Sequence, residues 1–373
     1  MRIPKVRWQN TLFLLTTFLA TLIAVPLYIM QHGLPLYQVG LFLGFFILTG
    51  LSITLGYHRY FAHLTFEASW PVKLATLLFG AAAFEGSAMS WAADHRRHHK
   101  HVDQDEDPYD ISKGLFFAHI GWLLFRNGPD TPLSWVRDLQ KDRLAVWQHR
   151  YYVPLAFGVG FGLPALIGFL IGGWVGALGS FLIAGVARVV AVHHMTFCIN
   201  SLCHWLGTRP YSRRSSARDS AIMALFTFGE GYHNYHHTFQ HDYRNGVKAW
   251  HWDPTKWTIW TLHKLGLVRK LRRVPDEKVL RAQFAEQERH TAELLSQPKS
   301  QVCESFRAML HSAQTQAHDA LMRWEECLVR FKAAADRRHE LSRSQYKALR
   351  RQLDEARDAL RDAIGRWQLT YQA

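Results

Sequence analysis

Apolar residues in the first half of the chain come in runs far longer than a single core-facing helix stripe requires. Thr11 to Ile29 (TLFLLTTFLATLIAVPLYI) carries no charge and follows Arg2, Lys5 and Arg7. A helix needs about 20 such residues to cross a bilayer. No small-residue cleavage site follows and a second apolar span begins almost at once, which favours a transmembrane helix (about 11–29) over a signal peptide. The second span is Val39 to Gly56, and the link between them, QHGLPLYQ, has no Lys or Arg, so it faces outward by the positive-inside rule. Tyr151 to Val192 is about twice the length of one crossing, with Gly172-Gly173 near its midpoint. It reads as two spans, 152–171 and 174–192, joined by a tight outer turn, with Arg188 snorkelling to the inner interface. Four crossings leave both termini inside.

Pro71 to Trp91 is apolar and nearly long enough to span, but Lys73, Glu85 and its glycines and serines weaken it. The expected element is a helix over about 71–91 that lies at the interface without crossing. Beyond about residue 270 the pattern changes to charged helices with apolar positions at helical spacing, such as Leu310, Leu321, Trp324, Leu328 and Phe331. Pro298 and Ser300 separate Asp276–Leu295 from a longer run, Val302–Ala335, and a third helix starts near Leu341. The fold class expected is all-α, a four-span membrane domain at 1–270 followed by a soluble helical extension at 271–373.

A formal charge of +14 raises nucleic-acid binding as a class. The basic residues, however, crowd the loops beside apolar spans and do not form a patch interleaved with aromatics, so they belong with anionic lipid and a membrane protein. Cys198, Cys203, Cys303 and Cys327 have neither metal-site nor disulfide-scaffold spacing and read as packing residues.

The informative residue type is histidine, of which there are 22. Three clusters stand out: HRYFAH with His58 and His63, HRRHH with His95, His98 and His99, and HNYHH with His233, His236 and His237. In H-x-x-H-H the i, i+3 and i+4 side chains share one helical face, so three imidazoles are expected to converge on one point. His58 and His63, five apart, diverge on a regular helix, which puts His63 beyond the helix end. NSLCHW adds His204, one turn after Asn200. Nine imidazoles exceed what one ion accepts, so the pattern points to a two-metal centre of iron, copper, zinc or nickel. One H-x-x-H-H alone would be an ordinary polar helix face; three clusters on the same predicted side of the membrane favour a shared site. His101, His119, His193, His194, His241 and His251 break the spacing and read as supporting or interfacial residues.

The strings DHRRHHKHVDQDEDPYD, GLFFAHIGWLLFRN, NSLCHWLGTRPY and GEGYHNYHHTFQHDYRNG, in that order, resemble the membrane stearoyl-CoA desaturases and their bacterial acyl desaturase relatives, over roughly Leu51 to Pro254. The resemblance implies a helical membrane protein whose cytosolic helical cap holds two non-haem irons above a bent acyl tunnel, with O2 as co-substrate and a cis double bond, Δ9 expected, as product. It places the iron ligands on His58, His63, His95, His98, His99, His204, His233, His236 and His237, with Asn200 reaching iron through water. The division of histidines between the irons is not legible in the sequence. Trp91, Thr196 and Phe197 match positions near the tunnel bend, and Phe42 and Phe46 match positions that close its far end. Where the animal proteins have Arg-Asp before the second cluster this chain has Ala93-Asp94, and a basic pair is Arg126-Asn127. Asp94 and Arg126 stand as candidates for headgroup contact, and the acyl carrier is left open among CoA, phospholipid and acyl carrier protein.

The chain has no dinucleotide fingerprint, iron–sulfur cysteine set or haem domain, so electrons are expected from a separate donor such as a ferredoxin and its reductase, drawn to a basic cytoplasmic face. The expected setting is a multi-pass protein of a bacterial inner membrane with its catalytic face in the cytoplasm. Rival readings are a hydroxylase on the same diiron centre, distinguished by oxygen in the product, and a metal transporter, which predicts polar ligands at the bilayer midplane.

Overall fold

Helices account for almost all regular structure in the computed structural model, which describes residues 5–126, 129–296, 304–340 and 342–370. Arg2, Asn127, Pro298, Ser300 and Cys303 lie outside the described residues, as does the side chain of Arg126. Among the described residues the strands form only two short antiparallel pairs, Lys5–Val6 with Phe125–Arg126 and Glu67–Ala68 with Val268–Arg269.

Three helical stretches are long and apolar enough to cross a membrane: Trp8–His32, Leu36–Ala62 and Tyr152–His204. Leu12, Leu22, Leu43 and Leu170 on these stretches are exposed, an outward apolar surface that suits lipid and not water. The third stretch has 53 residues, over twice the ~20 of one crossing. Helical geometry fails in its middle, at Gly172 (φ −134°, ψ 23°) and Gly173 (φ 60°, ψ −152°). A side chain at Gly173 would be strained by that left-handed φ, so glycine there permits the break.

The second stretch changes its winding. It is α-helical over Leu36–Leu51 and π-helical over Ser52–Ala62. Ile53, Tyr57 and Phe61 on the π-helical part join Ala88, Met89 and Ala92 in a buried core. Helix Trp70–Ala81 lies close against it, with Gly80 facing the Tyr57 ring where no Cβ would fit.

The apolar segment 71–91 is not one interfacial helix. Trp70–Ala81 ends in a turn through Phe84 (φ 60°) and Gly86 (φ 91°), and a new helix, Ala88–His101, starts after Ser87. The Ser87 Oγ accepts the Ser90 N–H at 3.2 Å. The turn and cap chemistry of Gly86-Ser87 therefore overrides the apolar length. Arg188 also departs from expectation: it does not snorkel but is fully buried. It donates to the carbonyls of Ala82 (2.6 Å), Gly160 (2.8 Å) and Ala184 (3.1 Å), of which the first lies in that same turn.

The chain divides into two compact units, residues 1–209 with 214–274, and 210–213 with 275–373. In the second, helices Asp276–Leu295, Glu304–Asp336 and Arg343–Leu369 enclose their own core of Leu280, Phe284, Trp324, Leu360, Ile364 and Trp367. The last helix opens with a capping box between Ser342 and Gln345.

Candidate metal centre and adjoining cavity

All nine histidines of the clusters and of NSLCHW come together in the first unit, in two groups. One is His58, His63, His95, His99 and His236; the other is His98, His204, His233 and His237. Within each group the facing nitrogens all lie within 4.8 Å of one another.

The local windings explain the division. An α-helix advances about 100° per residue, so i and i+4 differ by about 40° whereas i+3 and i+4 differ by about 100°. On Ala88–His101, His95 and His99 accordingly turn to one group and His98 to the other. On His233–Thr238, His233 and His237 share a group and His236 faces away to the other. The expected convergence of each H-x-x-H-H on one point is therefore corrected: each cluster serves both groups. His58 and His63 meet because the helix between them is π-wound, with the His63 N–H donating to the His58 carbonyl at 3.1 Å. An i, i+5 bond brings together residues that α winding would separate. His204 enters from the turn Leu202–His204 that ends the long third stretch.

In the five-membered group the Nε2 atoms of His58 and His236 are 2.9 Å apart, those of His63 and His95 2.8 Å, and those of His236 and His99 2.9 Å. In the four-membered group His204 and His233 are 3.1 Å apart, His233 and His237 3.1 Å, and His98 and His237 3.3 Å. The groups abut through the stacked rings of His99 and His237, 4.3 Å between centroids. A neutral imidazole has one donor and one acceptor nitrogen, so inward rings of Nε2 facing Nε2 cannot all be satisfied by hydrogen bonds. A shared cation satisfies them, and an all-nitrogen neutral set suits iron, copper, zinc or nickel. Burial first, then the neighbouring histidines, hold His63, His95, His99, His236 and His237 well below the usual imidazole range. His233 is lowered by the same causes to about 3. These rings are thus in the deprotonated state that binds metal.

Carboxylates stand behind two of the rings. Both oxygens of Asp107 accept the His98 Nδ1–H at 2.9 Å. Oε2 of Glu230 lies 2.9 Å from His58 Nδ1, at ion-pair distance without a linear N–H···O path. Glu230 Oε1 accepts from Arg59 at 2.8 and 3.1 Å, and Arg59 reaches on to Asp253 at 3.0 and 3.2 Å. Burial pushes the Glu230 carboxyl up, but Arg59 and His58 outweigh it and hold it at about 2. Ser216 Oγ is 2.7 Å from His204 Nδ1 and in turn donates to Asp103. None of Asp103, Asp107, Ser216 and Glu230 stands out by spacing, yet Asp103 and Asp107 lie in DHRRHHKHVDQDEDPYD and Glu230 in GEGYHNYHHTFQHDYRNG. Of the histidines outside the clusters, His241 donates its Nδ1–H to the His63 carbonyl (3.0 Å), and His119 pairs with His194 (3.0 Å).

Beside the five-membered group is a cavity of about 360 Å³ whose walls include Trp91, Thr196, Phe197, Asn200 and Asp94. The Trp91 indole stacks on His95 at 4.8 Å between ring centroids. Burial raises the Asp94 carboxyl. Leu14, His193 and Phe197 belong both to this cavity and to an apolar recess of about 290 Å³. At the other side Arg7, Asp94 and Trp122 border a polar space that also receives Arg97 and Asp130. The arrangement suits a long apolar chain with a polar head. Phe42 and Phe46 do not line this cavity; they stack on each other at 6.1 Å, and Phe46 also meets Phe228 at 5.6 Å.

Sequence reasoning missed Glu85 as a cavity residue. Its Oε1 accepts the Thr196 hydroxyl at 2.7 Å and its Oε2 the Trp91 indole N–H at 3.2 Å. Burial pushes this carboxyl up to about 8, against the pull of both hydrogen bonds. The one signal available was an acidic residue in an otherwise apolar segment.

Proteins of known name are similar to this sequence. The chain is 40% identical over 268 residues to a probable acyl-CoA desaturase of Schizosaccharomyces pombe, covering 72% of this chain and 53% of that one. It is 39% identical over 247 residues to acyl-CoA desaturase 1 of Saccharomyces cerevisiae, covering 66% and 48%. With the stearoyl-CoA desaturase of Sus scrofa the identity is 32% over 284 residues, covering 74% and 78%. The chain thus spans about half the length of the two fungal relatives. The sequence profile of the fatty acid desaturases matches residues 32–261, a range that contains all nine converging histidines, and the chain belongs to the fatty acid desaturase family.

Proposed function

We propose that the chain is an O2-dependent fatty acyl desaturase that places a cis double bond in a saturated acyl chain at a histidine-ligated diiron centre. The observation that carries this reading is the pair of buried, neutral histidine groups set against a cavity shaped for an apolar chain. The overall change is –CH2–CH2– plus O2, two electrons and two protons to –CH=CH– plus two waters. His58, His63, His95, His99 and His236 would hold one iron and His98, His204, His233 and His237 the other, with Asn200 at the cavity edge as a water-mediated neighbour. Bound there, the irons supply with O2 and two electrons the hydrogen-abstracting oxidant that no side chain offers. Trp91, Thr196 and Phe197 fix the position of the acyl chain beside the histidines.

The relatives' names point to an acyl-CoA as substrate, with the thioester head in the polar space near Arg7, Asp94 and Arg97 and with Arg126 as a further headgroup contact. In this reading residues 152–171 and 174–192 are separate crossings that turn at Gly172-Gly173, making four in all, and the histidines lie on the cytoplasmic side under a helical cap. Electrons come from a separate protein such as a ferredoxin with its reductase.

Expression in an aerobic bacterial host without membrane desaturases tests the reading. Mass spectrometry of total lipids is expected to show a new cis-monounsaturated chain that needs O2 and disappears in His98→Ala. A hydroxylated chain in its place would assign the protein to oxygen insertion instead.

A further inference from the structure

The two histidine groups differ in the charge that stands behind them. Asp107 faces His98 with both oxygens, and its other contacts are two backbone N–H groups, of Asp103 (3.2 Å) and Tyr109 (3.1 Å). No Lys or Arg pairs with Asp107 among the described residues. Asp103, four residues earlier on the same loop, reaches His204 of the same group through Ser216, whose N–H it also accepts at 2.7 Å. Glu230 beside His58 is in the opposite position. Arg59 bridges it to Asp253, and Lys256 lies near enough to Asp253 to feel its charge, so two carboxylates are matched by two cations.

We propose that the loop acids Asp107 and Asp103 make the four-histidine group an electron-rich metal position unlike its neighbour, and that Asp107 is a positioning residue for that metal alone. A carboxylate that accepts the distal N–H of a metal-bound imidazole fixes the tautomer and raises the basicity of the other nitrogen. Asp107 exerts that effect undiluted. The charge of Glu230 is neutralised by Arg59, so His58 receives orientation with less electronic push. The two positions then differ in ligand count, five against four, and in ligand basicity. This rests on the two-metal reading given above.

The experiment is anaerobic titration of the full-length protein in detergent with Co(II), followed by metal analysis per chain after gel filtration and by the visible Co(II) spectrum. Wild-type protein is expected to retain two ions, and Asp107→Asn to retain one, with the affinity of the other reduced about 10–100-fold and partly restored in Asp107→Glu. Combining Asp107→Asn with His204→Ala is expected to remove no further ion, because both changes act on the same position. Retention of two tightly bound ions in Asp107→Asn, or loss of both together with an unchanged helical circular dichroism spectrum, overturns the proposal. Fewer than two ions in wild type would instead overturn the two-metal reading beneath it.

Discussion

A carboxyl held neutral at the wall of an apolar cavity makes that wall sensitive to pH. Glu85 in the folded protein titrates near 8 rather than at its ordinary value of 4.5, so it is neutral below that range and charged above it. Because the folded pKa is the higher one, ionisation disfavours the folded protein as pH rises from about 4.5 to about 8, and the penalty is complete above that. An apolar chain beside Glu85 feels the same charge. The KM for the acyl substrate is expected to rise as pH passes through about 8, and Glu85→Gln should flatten that limb while leaving activity at pH 7 within a few-fold; a limb that persists in Glu85→Gln would assign it to another group. At this scale the nine histidines were legible because their spacing is regular. Glu230, Asp103, Asp107 and Glu85 were not, because a side-chain hydrogen bond made from a loop or across elements leaves no periodicity.

Winding decided where the ligands point. Apolar length located the membrane-scale helices, and Gly172-Gly173 marked where the helical geometry of the third one breaks, both from the sequence. The π turn over Ser52–Ala62 and the break at Phe84–Ser87 were missed, since apolar periodicity distinguishes poorly between α and π winding and a length rule ignores caps. The π-helical segment also carries Arg59, fully buried between Glu230 and Asp253. Removing this cation leaves the buried Glu230 and Asp253 with Lys256 alone to offset them, so Arg59→Ala should cost about 3–5 kcal/mol and lower the Tm measured in detergent by tryptophan fluorescence. Gly173 has open space around its Cα but a left-handed φ. Gly173→Ala should cost about 1–3 kcal/mol from backbone strain alone, read as a smaller fall in the same Tm with the metal content unchanged.

Every histidine of the two groups, and every side chain bonded to one, belongs to the first compact unit, while the helices after residue 275 have a core of their own. A chain ended at Val274 is therefore expected to keep the metal content and the desaturation activity proposed above for the full chain, measured in isolated membranes. Loss of metal on truncation would show that the second unit supports the first. The order in which the ligands occur along the chain has a bearing on biosynthesis. Each group combines residues from before position 100 with residues from His233–Thr238. During translation, then, a nascent chain displays His58 to His99 as loose, incomplete chelators for the whole time that the next 130 or so residues are being made. In the two-metal reading proposed above, loading of either position in its final form would wait until His236 and His237 have left the ribosome and folded back, which would make metal insertion one of the last events in maturation.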